Sequence, residues 1–354
     1  MATSAGQSTG EPAAEAERPP PGAEQPEAEQ PKPEQPKPVP WKAAAVVIGL
    51  ALLMGAAFAF SYTVALGRPS PHDVPVAVVG GAAANAQITA ALQAGAADGL
   101  DLHPYPSLAA ARAAIDDQEV FAVVAGGADP PTLYVSSASG SSVSRVLTQI
   151  VQAVPPGLGV RVVDLHPLPR SDPQGLTSFY VTIAATILGL VTVFQLRVHA
   201  GGVGLRVWLG YLTVLSAGAG IVLAFVVDVL LDALPGPFWE FALILALQTA
   251  TTASFNSLMI VLVGRWAIIP TWGVFILLGN TSSGGAVAAP LLPAFFALAG
   301  RVLPTGATVA ALHQAAYFRG HQHLEPYLVL ALWFVVVGLA LVAVRRWRGR
   351  SPAQ

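Results

Sequence analysis

The chain has 354 residues, of which 54% are hydrophobic and only 11% are charged, whereas about 25% of residues in soluble domains are charged. The formal net charge of -2 argues against nucleic-acid binding, and the lack of cysteine excludes disulfides, thiolate zinc sites and iron–sulfur clusters. Composition therefore predicts a membrane protein that contacts membrane lipid and has no nucleic-acid partner.

The N-terminal segment, residues 1–40, is rich in proline and glutamate and contains the repeat EQPEA-EQPKP-EQPKP. Such a sequence buries too little apolar surface to offset the entropy lost on ordering. We interpret residues 1–40 as a disordered cytoplasmic tail. The alternative interpretation is a docking site for a proline-reading partner.

The first apolar run lies between Lys42 and Arg68 and has 25 uncharged residues. About 20 residues suffice for a helix to cross the hydrocarbon core. The run is longer than the apolar region of a signal peptide and starts far from the N-terminus, so residues 43–67 are predicted to form transmembrane helix 1, an uncleaved anchor.

Residues 68–172 have a soluble composition in which short β-rich runs alternate with alanine-rich helical patterns. This alternation predicts a small α/β domain outside the membrane, inserted after helix 1. The predicted strands are Val74–Val79, Val120–Val124, Thr132–Val135 and Val160–Val163, and the predicted helices lie near Gln87–Ala97, Leu108–Asp117 and Ser141–Gln152.

Residues 173–344 are predicted to form a five-helix membrane domain. Four uncharged runs are long enough to span, at 173–196, 207–227, 241–264 and 326–344. The interval from Arg265 to Arg301 has 35 uncharged residues, too many for one helix and too few for two spans with a connection. We divide it into a fifth helix, about 266–279, and an apolar piece, 286–300, that enters the membrane without crossing it. The outer segment 280–320 is therefore predicted to be re-entrant.

The predicted fold is an all-α membrane bundle of six transmembrane helices that carries this small α/β domain. Positive residues next to the spans are retained on the cytoplasmic side. With both termini cytoplasmic, the basic tail 345–354 and Lys42, Arg197, Arg206 and Arg265 all fall on that side. The pattern predicts a multi-pass protein of the cytoplasmic (plasma) membrane.

The interrupted segment, Gly279–Gly285, breaks the apolar run between helix 5 and the piece that follows. A backbone break at membrane depth needs hydrogen-bond partners from the protein or from water. Gly279, Gly284 and Gly285 permit positive φ, while Asn280 and Ser283 carry side chains that bond the freed backbone. Pro290 and Pro293 then limit the following helix.

A resemblance to a known family rests on five stretches of this region. They are GNTSSGG at 279–285, PLLP at 290–293, FF at 295–296, LPTG at 303–306 and YFRG at 317–320. Together they resemble the last outer loop of ABC type-2 transporter permeases, and most of all the Pip/YhgE-like branch. The layout of one helix, an outer α/β domain and five further helices is also similar. Thr281 departs from the family, which often has proline there, and Val79-Gly80-Gly81-Ala82 replaces its frequent Val-Asn-x-Asp.

The resemblance implies a permease subunit that exports an apolar or amphipathic compound, such as a lipid, drug or toxic metabolite. It also implies a separate ATP-binding subunit and a homodimer or heterodimer. No lysine follows Lys42, so the chain has no P-loop of its own. In resembling permeases the loop between helices 2 and 3 meets the ATPase, and here that loop is Arg197 to Arg206. The alternative is that its arginines only set the topology.

Helix 4 carries a polar stripe, in which Gln248, Thr252 and Asn256 share one helical face and Thr251 lies beside them. The stripe either lines a substrate path or makes hydrogen bonds between helices. No pattern predicts a catalytic residue, cofactor or metal site, and we interpret His313, His321 and His323 as solvated loop histidines. The alternative function is a non-transporting cell-envelope scaffold or receptor that acts through the α/β domain.

Overall fold

The computed structural model describes residues 41–127, 130–153 and 159–348. The predicted disordered tail, residues 1–40, lies outside the described residues, and so do residues 349–354 of the predicted basic tail. The preceding residues 345–348 belong to the last helix, which continues to Arg348 instead of ending at 344.

Within the described residues the chain forms eleven α-helices and five β-strands. The helices are α1 (Trp41–Leu66), α2 (Ala82–Gly95), α3 (Leu108–Asp116), α4 (Ser141–Ala153), α5 (Thr177–Ala200), α6 (Leu205–Ala224), α7 (Phe238–Val263), α8 (Ile268–Trp272), α9 (Ala294–Val302), α10 (Pro304–Tyr317) and α11 (Glu325–Arg348). The strands are β1 (Val74–Val79), β2 (Leu100–Tyr105), β3 (Ala122–Ala125), β4 (Thr132–Val135) and β5 (Arg161–Asp164). Two helices continue as π-helices, α6 through Phe225–Leu230 and α8 through Gly273–Asn280.

Five helices in the described part of the chain are long and apolar enough to cross a membrane: α1, α5, α6 with its extension, α7 and α11. A sixth candidate is the pair α9 and α10, which meet at 77° and form either one broken span or a re-entrant loop. The predicted fifth helix corresponds to Ile268–Asn280, which is apolar but shorter than the other spans. The chain is therefore a largely helical, multi-pass membrane protein with a small mixed-sheet domain.

The sheet of the α/β domain has the strand order β2-β1-β3-β4-β5. All neighbours are parallel except β3 and β4, which are antiparallel. Strands β1 and β4 coincide with their predicted ranges. Strand β2 had no prediction, because Leu100–Tyr105 is short and contains Pro104, which suits only an edge strand.

Helices cover both faces of this sheet. On one face, Val76 and Leu133 pack with Leu92 of α2 and Leu147 of α4, and on the other face α3 packs through Ile115. The first of these cores also contains Ala288 and Leu291, which belong to the segment between α8 and α9. The α/β domain thus completes its core with residues of the membrane domain.

Helix α7 lies at the centre of the helical bundle and packs against α5, α6, α10 and α11. The approach of α6 is close at Gly220, where a Cβ atom would collide with the carbonyl oxygen of Ala242. Small residues allow helix backbones to pack closely in a membrane, where lipid competes for apolar side chains. Close packing fixes the bundle that carries the α/β domain and the segment between the end of α8 and α11, residues 281–324, which we call the outer loop.

Candidate functional site

The interrupted segment turns the chain at the end of α8 and hydrogen-bonds to itself. Thr281 Oγ1 donates to the carbonyl oxygen of Leu277 (2.7 Å), and Ser283 Oγ donates to that of Asn280 (2.9 Å). Gly284 follows with φ of 76°, which a residue with a side chain rarely adopts. Local hydrogen bonds and one glycine therefore reverse the chain after the helix.

This turn packs tightly against the helices around it. A Cβ atom at Gly279 would lie 2.5 Å from Thr305 Oγ1, and one at Gly285 would lie 2.7 Å from Cβ of Phe179. Pro290 lies in a short 3-10 turn, and Pro293 is the residue immediately before α9. The seven predicted motif residues thus shape the backbone of the outer loop.

The outer loop is bonded to the α/β domain on both sides of α9 and α10. The Ala288 amide donates to Ser142 Oγ (2.9 Å), and the His72 amide donates to the carbonyl oxygen of Pro290 (2.9 Å). After α10, His321 Nδ1 lies 2.6 Å from Asp117 Oδ1. The two ends of the α9–α10 pair therefore meet the same domain.

A cavity of about 290 Å³, the outer cavity, lies where the α/β domain meets this loop. Its lining comes from the segment before α4, from the interrupted segment, from α9 and α10, and from the start of α11. The lining residues used below are Phe121, Ser137, Ser139, Ser141, Ala288, Ala297, Arg301, Gly306, Val309, Ala310, His313 and Glu325.

The outer cavity has an apolar and a polar part. Phe121, Ala288, Ala297 and Val309 contribute carbon atoms, whereas Ser137 and other serines of the α/β domain contribute hydroxyl groups. A lining of this kind is typical of small-molecule sites, in which a few polar groups orient a ligand held by apolar walls.

Charge in the outer cavity comes from helix ends and from two side chains. The first turns of α4 and α10 both belong to the lining, at Ser141 and Gly306, and a helix N-terminus carries partial positive charge. Arg301 adds a full positive charge and Glu325 adds a carboxylate. The site is thus equipped to hold a polar or anionic group beside an apolar one.

A chain of hydrogen bonds runs behind the serines. Ser139 Oγ donates to Ser136 Oγ (2.6 Å), Ser136 Oγ lies 3.3 Å from His166 Nδ1, and His166 Nε2 lies 3.1 Å from Asp116 Oδ1. Ser136 is completely buried, so a substrate carbonyl has no access to its hydroxyl. The bonds fix the turn that precedes α4 and thereby the shape of the cavity.

The polar stripe of α7 lies inside the helical bundle. Gln248, Thr251, Thr252 and Asn256 are all fully buried, and none of them lines the outer cavity. Each donates or accepts a hydrogen bond within the bundle. Their role on a substrate path stays a prediction. Thr251 and Thr252 bond to carbonyl oxygens of α7 itself, whereas Gln248 and Asn256 bond to other helices.

Gln248 and Asn256 are the two residues of the stripe that bond to neighbouring helices. Gln248 Nε2 donates to Thr186 Oγ1 of α5 (2.8 Å), and Thr308 Oγ1 of α10 donates to Gln248 Oε1 (2.9 Å). Asn256 Nδ2 donates to the carbonyl oxygen of Leu190 in α5 (3.0 Å). Buried amides with such partners remove the cost of an unsatisfied polar group in the membrane.

The predicted ATPase-facing loop is a short connection between α5 and α6, at the end of the bundle remote from the α/β domain. Arg197 Nη1 donates to the carbonyl oxygen of Gly201 (2.9 Å), so this side chain caps the C-terminus of α5. Arg206 lies in the first turn of α6 and is exposed.

The three histidines of the outer loop contact the α/β domain. His313 Nε2 bonds to the carbonyl oxygen of Ala138 and lines the outer cavity, whereas His321 and His323 both contact Asp117. Residues 41–127, 130–153 and 159–348 contain no group of three or more potential ligands that could hold a metal ion. His313 is a part-buried residue of α10, so its interpretation as a solvated loop histidine was wrong, whereas His321 and His323 are exposed and follow α10. All three contact the α/β domain, which the sequence did not indicate.

Sequence reasoning missed the outer cavity because its two halves are far apart in the chain. Ser142 and Ala288, whose hydrogen bond joins them, are 146 residues apart. The serine cluster at 136–144 was visible in the sequence, but nothing there indicated what it faces.

Comparisons with models of protein families, with curated proteins and with solved structures find no match to this chain.

Proposed function

We propose that this protein is the membrane permease subunit of an exporter for an apolar or amphipathic compound, driven by a separate ATPase. In this proposal it is a homodimer or heterodimer in the cytoplasmic membrane, with both termini cytoplasmic and the α/β domain outside. The observation that carries the proposal is the outer cavity, which joins the α/β domain to the outer end of the helical bundle.

The size and lining of the outer cavity suit a compound with one polar end. Its volume of about 290 Å³ is at the lower limit of ligand sites, which begin near about 300 Å³. It therefore holds a small molecule or one end of a longer one. The helix N-termini and Arg301 favour a polar or anionic head, and Phe121 and Val309 favour an apolar remainder.

The position of α9 supports access to the cavity from the membrane. Phe295, Leu298 and Val302 are all more than half exposed on one side of this helix, whereas Phe296 and Ala297 pack inward. A short helix with one exposed apolar side suits the boundary between lipid and water. Since both ends of the α9–α10 pair meet the α/β domain, a re-entrant loop fits better than a sixth span.

Energy reaches the bundle, in this proposal, from an ATPase at its other end. The connection of α5 to α6 is basic and exposed there, and exposed Arg206 can contact an acidic surface.

The proposed ATPase partner is tested by purification of the tagged protein from its own membrane in mild detergent, followed by mass spectrometry. We expect a stoichiometric P-loop ATPase, and less of it with Arg206→Glu. Reproducible recovery of cell-envelope proteins without an ATPase would instead favour the scaffold or receptor.

The outer cavity is tested by filling it. Ala310 lines the cavity, so Ala310→Phe should block it, whereas Ala217 of α6 is exposed and Ala217→Phe serves as the matched control. Each variant is expressed in a deletion strain of the host, and apolar compounds in the medium and in the membrane are profiled. We expect the wild type and Ala217→Phe to restore export and Ala310→Phe to leave it at the deletion level.

Two results contradict the proposal. One is an unchanged profile after deletion of the gene, which would remove the support for transport. The other is full restoration by Ala310→Phe at an equal amount of membrane-inserted protein, which would show that the outer cavity has no part in export.

A further inference from the structure

A second cavity, the basic cavity, lies at the end of the bundle remote from the α/β domain. It has a volume of about 410 Å³ and lies among α5, α6, α7 and α11. Three arginines and several apolar residues line it, including Arg197, Arg345, Arg348, Val203, Leu205 and Ile260.

Two of the three guanidinium groups are held in place by the fold. Arg345 Cζ lies 4.7 Å from the ring centroid of Trp208, and that indole is buried and donates through Nε1 to Ser257 Oγ (3.1 Å). Arg197 is held by its bond to the carbonyl oxygen of Gly201. Guanidinium groups fixed before binding lose less conformational entropy when they bind an anion.

Within the part of the chain that the structure describes, no carboxylate pairs with the arginines of the basic cavity. The sequence has no Asp or Glu in residues 173–227, 241–324 or 326–354. Among the described residues, the salt bridges all involve histidine and none involves these arginines. Arg197 and Arg345 line the same cavity and like charges repel each other, so a bound anion relieves an unfavourable interaction.

Apolar residues line part of the basic cavity, and exposed ones follow or precede its arginines in the sequence. Val203, Leu205 and Ile260 belong to the lining. Val198, next to Arg197, is 76% exposed, and Trp347, next to Arg348, is 70% exposed. Arg265 stacks on Trp266 (5.2 Å) at the same end of the bundle. Tryptophan and arginine together are typical of the boundary between hydrocarbon and headgroups.

We propose that the basic cavity binds the phosphate group of an anionic phospholipid. Arginine forms paired hydrogen bonds with phosphate oxygens, and basic cavities between transmembrane helices are suited to lipid headgroups. The flanking apolar surface accommodates acyl chains, which a free phosphate lacks. This site is separate from the outer cavity and does not depend on the proposed export function.

The test measures lipid binding to the purified full-length protein by native mass spectrometry in mild detergent. The probes are phosphatidylglycerol, phosphatidylcholine as the zwitterionic lipid, and inorganic phosphate. We expect phosphatidylglycerol to bind in preference to the other two. Replacing Arg345 by Gln should weaken its binding about fivefold, and the double replacement Arg197→Gln and Arg345→Gln about 25-fold, from roughly 1 kcal/mol for each hydrogen bond lost between a cavity arginine and the phosphate.

The matched control is Arg346→Gln, because Arg346 is the next residue of α11 and does not line the cavity. It should leave phosphatidylglycerol binding within about twofold of wild type, since the fixed cavity arginines dominate. Arg197→Gln alone, at an exposed helix end, provides a second test if Arg345 variants fold poorly.

Three outcomes overturn the inference. Equal weakening by Arg346→Gln and Arg345→Gln would reduce the effect to general attraction at the membrane surface. Equal binding of phosphatidylcholine and phosphatidylglycerol would remove the role of net charge. Inorganic phosphate that competes fully with phosphatidylglycerol at equal concentration would identify a free-anion site and exclude the acyl chains.

Discussion

Replacement of Gln248 by Leu tests whether the polar stripe of α7 holds the bundle together. Leucine keeps most of the volume but removes the hydrogen bonds to Thr186 and Thr308. Both threonine hydroxyls also bond to carbonyl oxygens in their own helices, so neither is left without a partner. The expected loss is therefore that of two interhelical bonds, roughly 1.2 kcal/mol at about 0.6 kcal/mol each.

The assay is reversible unfolding in mixed micelles, with increasing denaturing detergent and helical circular dichroism as the signal. Gln195→Leu is the matched control, because Gln195 is exposed on α5 and the same substitution there removes no interhelical bond. We expect Gln248→Leu to lower the free energy of unfolding by about 1.2 kcal/mol and Gln195→Leu to change it little.

Unchanged stability of Gln248→Leu would refute the reasoning that these hydrogen bonds tie α7 to α5 and α10. If export were lost while stability stayed at the wild-type value, Gln248 would belong to a substrate path, as one interpretation of the sequence held. If stability fell and export per folded molecule stayed constant, the stripe would be structural.

Two further substitutions test the packing of α6 against α7 and the capping of α5. Gly220→Ala should destabilise the protein by about 1 to 3 kcal/mol, because the added Cβ collides with the carbonyl oxygen of Ala242. Gly218→Ala is the control: its added Cβ meets open space, so it should not lower the melting temperature in detergent. Asp172→Ala should lower the free energy of unfolding by about 1 kcal/mol, because the Asp172 carboxylate accepts hydrogen bonds from the amides of Leu176 and Thr177 at the start of α5. Asp172→Asn, which still accepts through its amide oxygen, should recover part of that loss in the same measurement, and equal losses for both variants would contradict the capping role.

The sequence predicted those parts of the fold that depend on local pattern. The runs Val74–Val79 and Thr132–Val135 are strands because their β-branched and apolar residues suit a buried sheet, and α3 begins at Leu108 after the capping Ser107. The edge strand β2 was missed because it is a strand only through its pairing with β1. Local preference is weak there, and tertiary contacts decide.

The candidate site was predictable only in part. Glycines and prolines of the outer loop marked an interruption, because few other residues tolerate such a backbone within an apolar run. The sequence did not reveal that Ala288 and Leu291 enter the core of the α/β domain, or that the serines before α4 face the loop. Neither half of the outer cavity has a distinctive motif.

The sequence by itself determined which segments are apolar enough to enter a membrane and where a soluble domain interrupts them. Transfer into hydrocarbon depends on the composition of about 20 consecutive residues, so a local window is sufficient. Only the tertiary structure decided that Gln248 is bonded between two helices, that Ser142 meets Ala288, and that Arg197 and Arg345 share one cavity. Those contacts join residues that are distant in the chain, and only the packing of helices brings their side chains within hydrogen-bonding range.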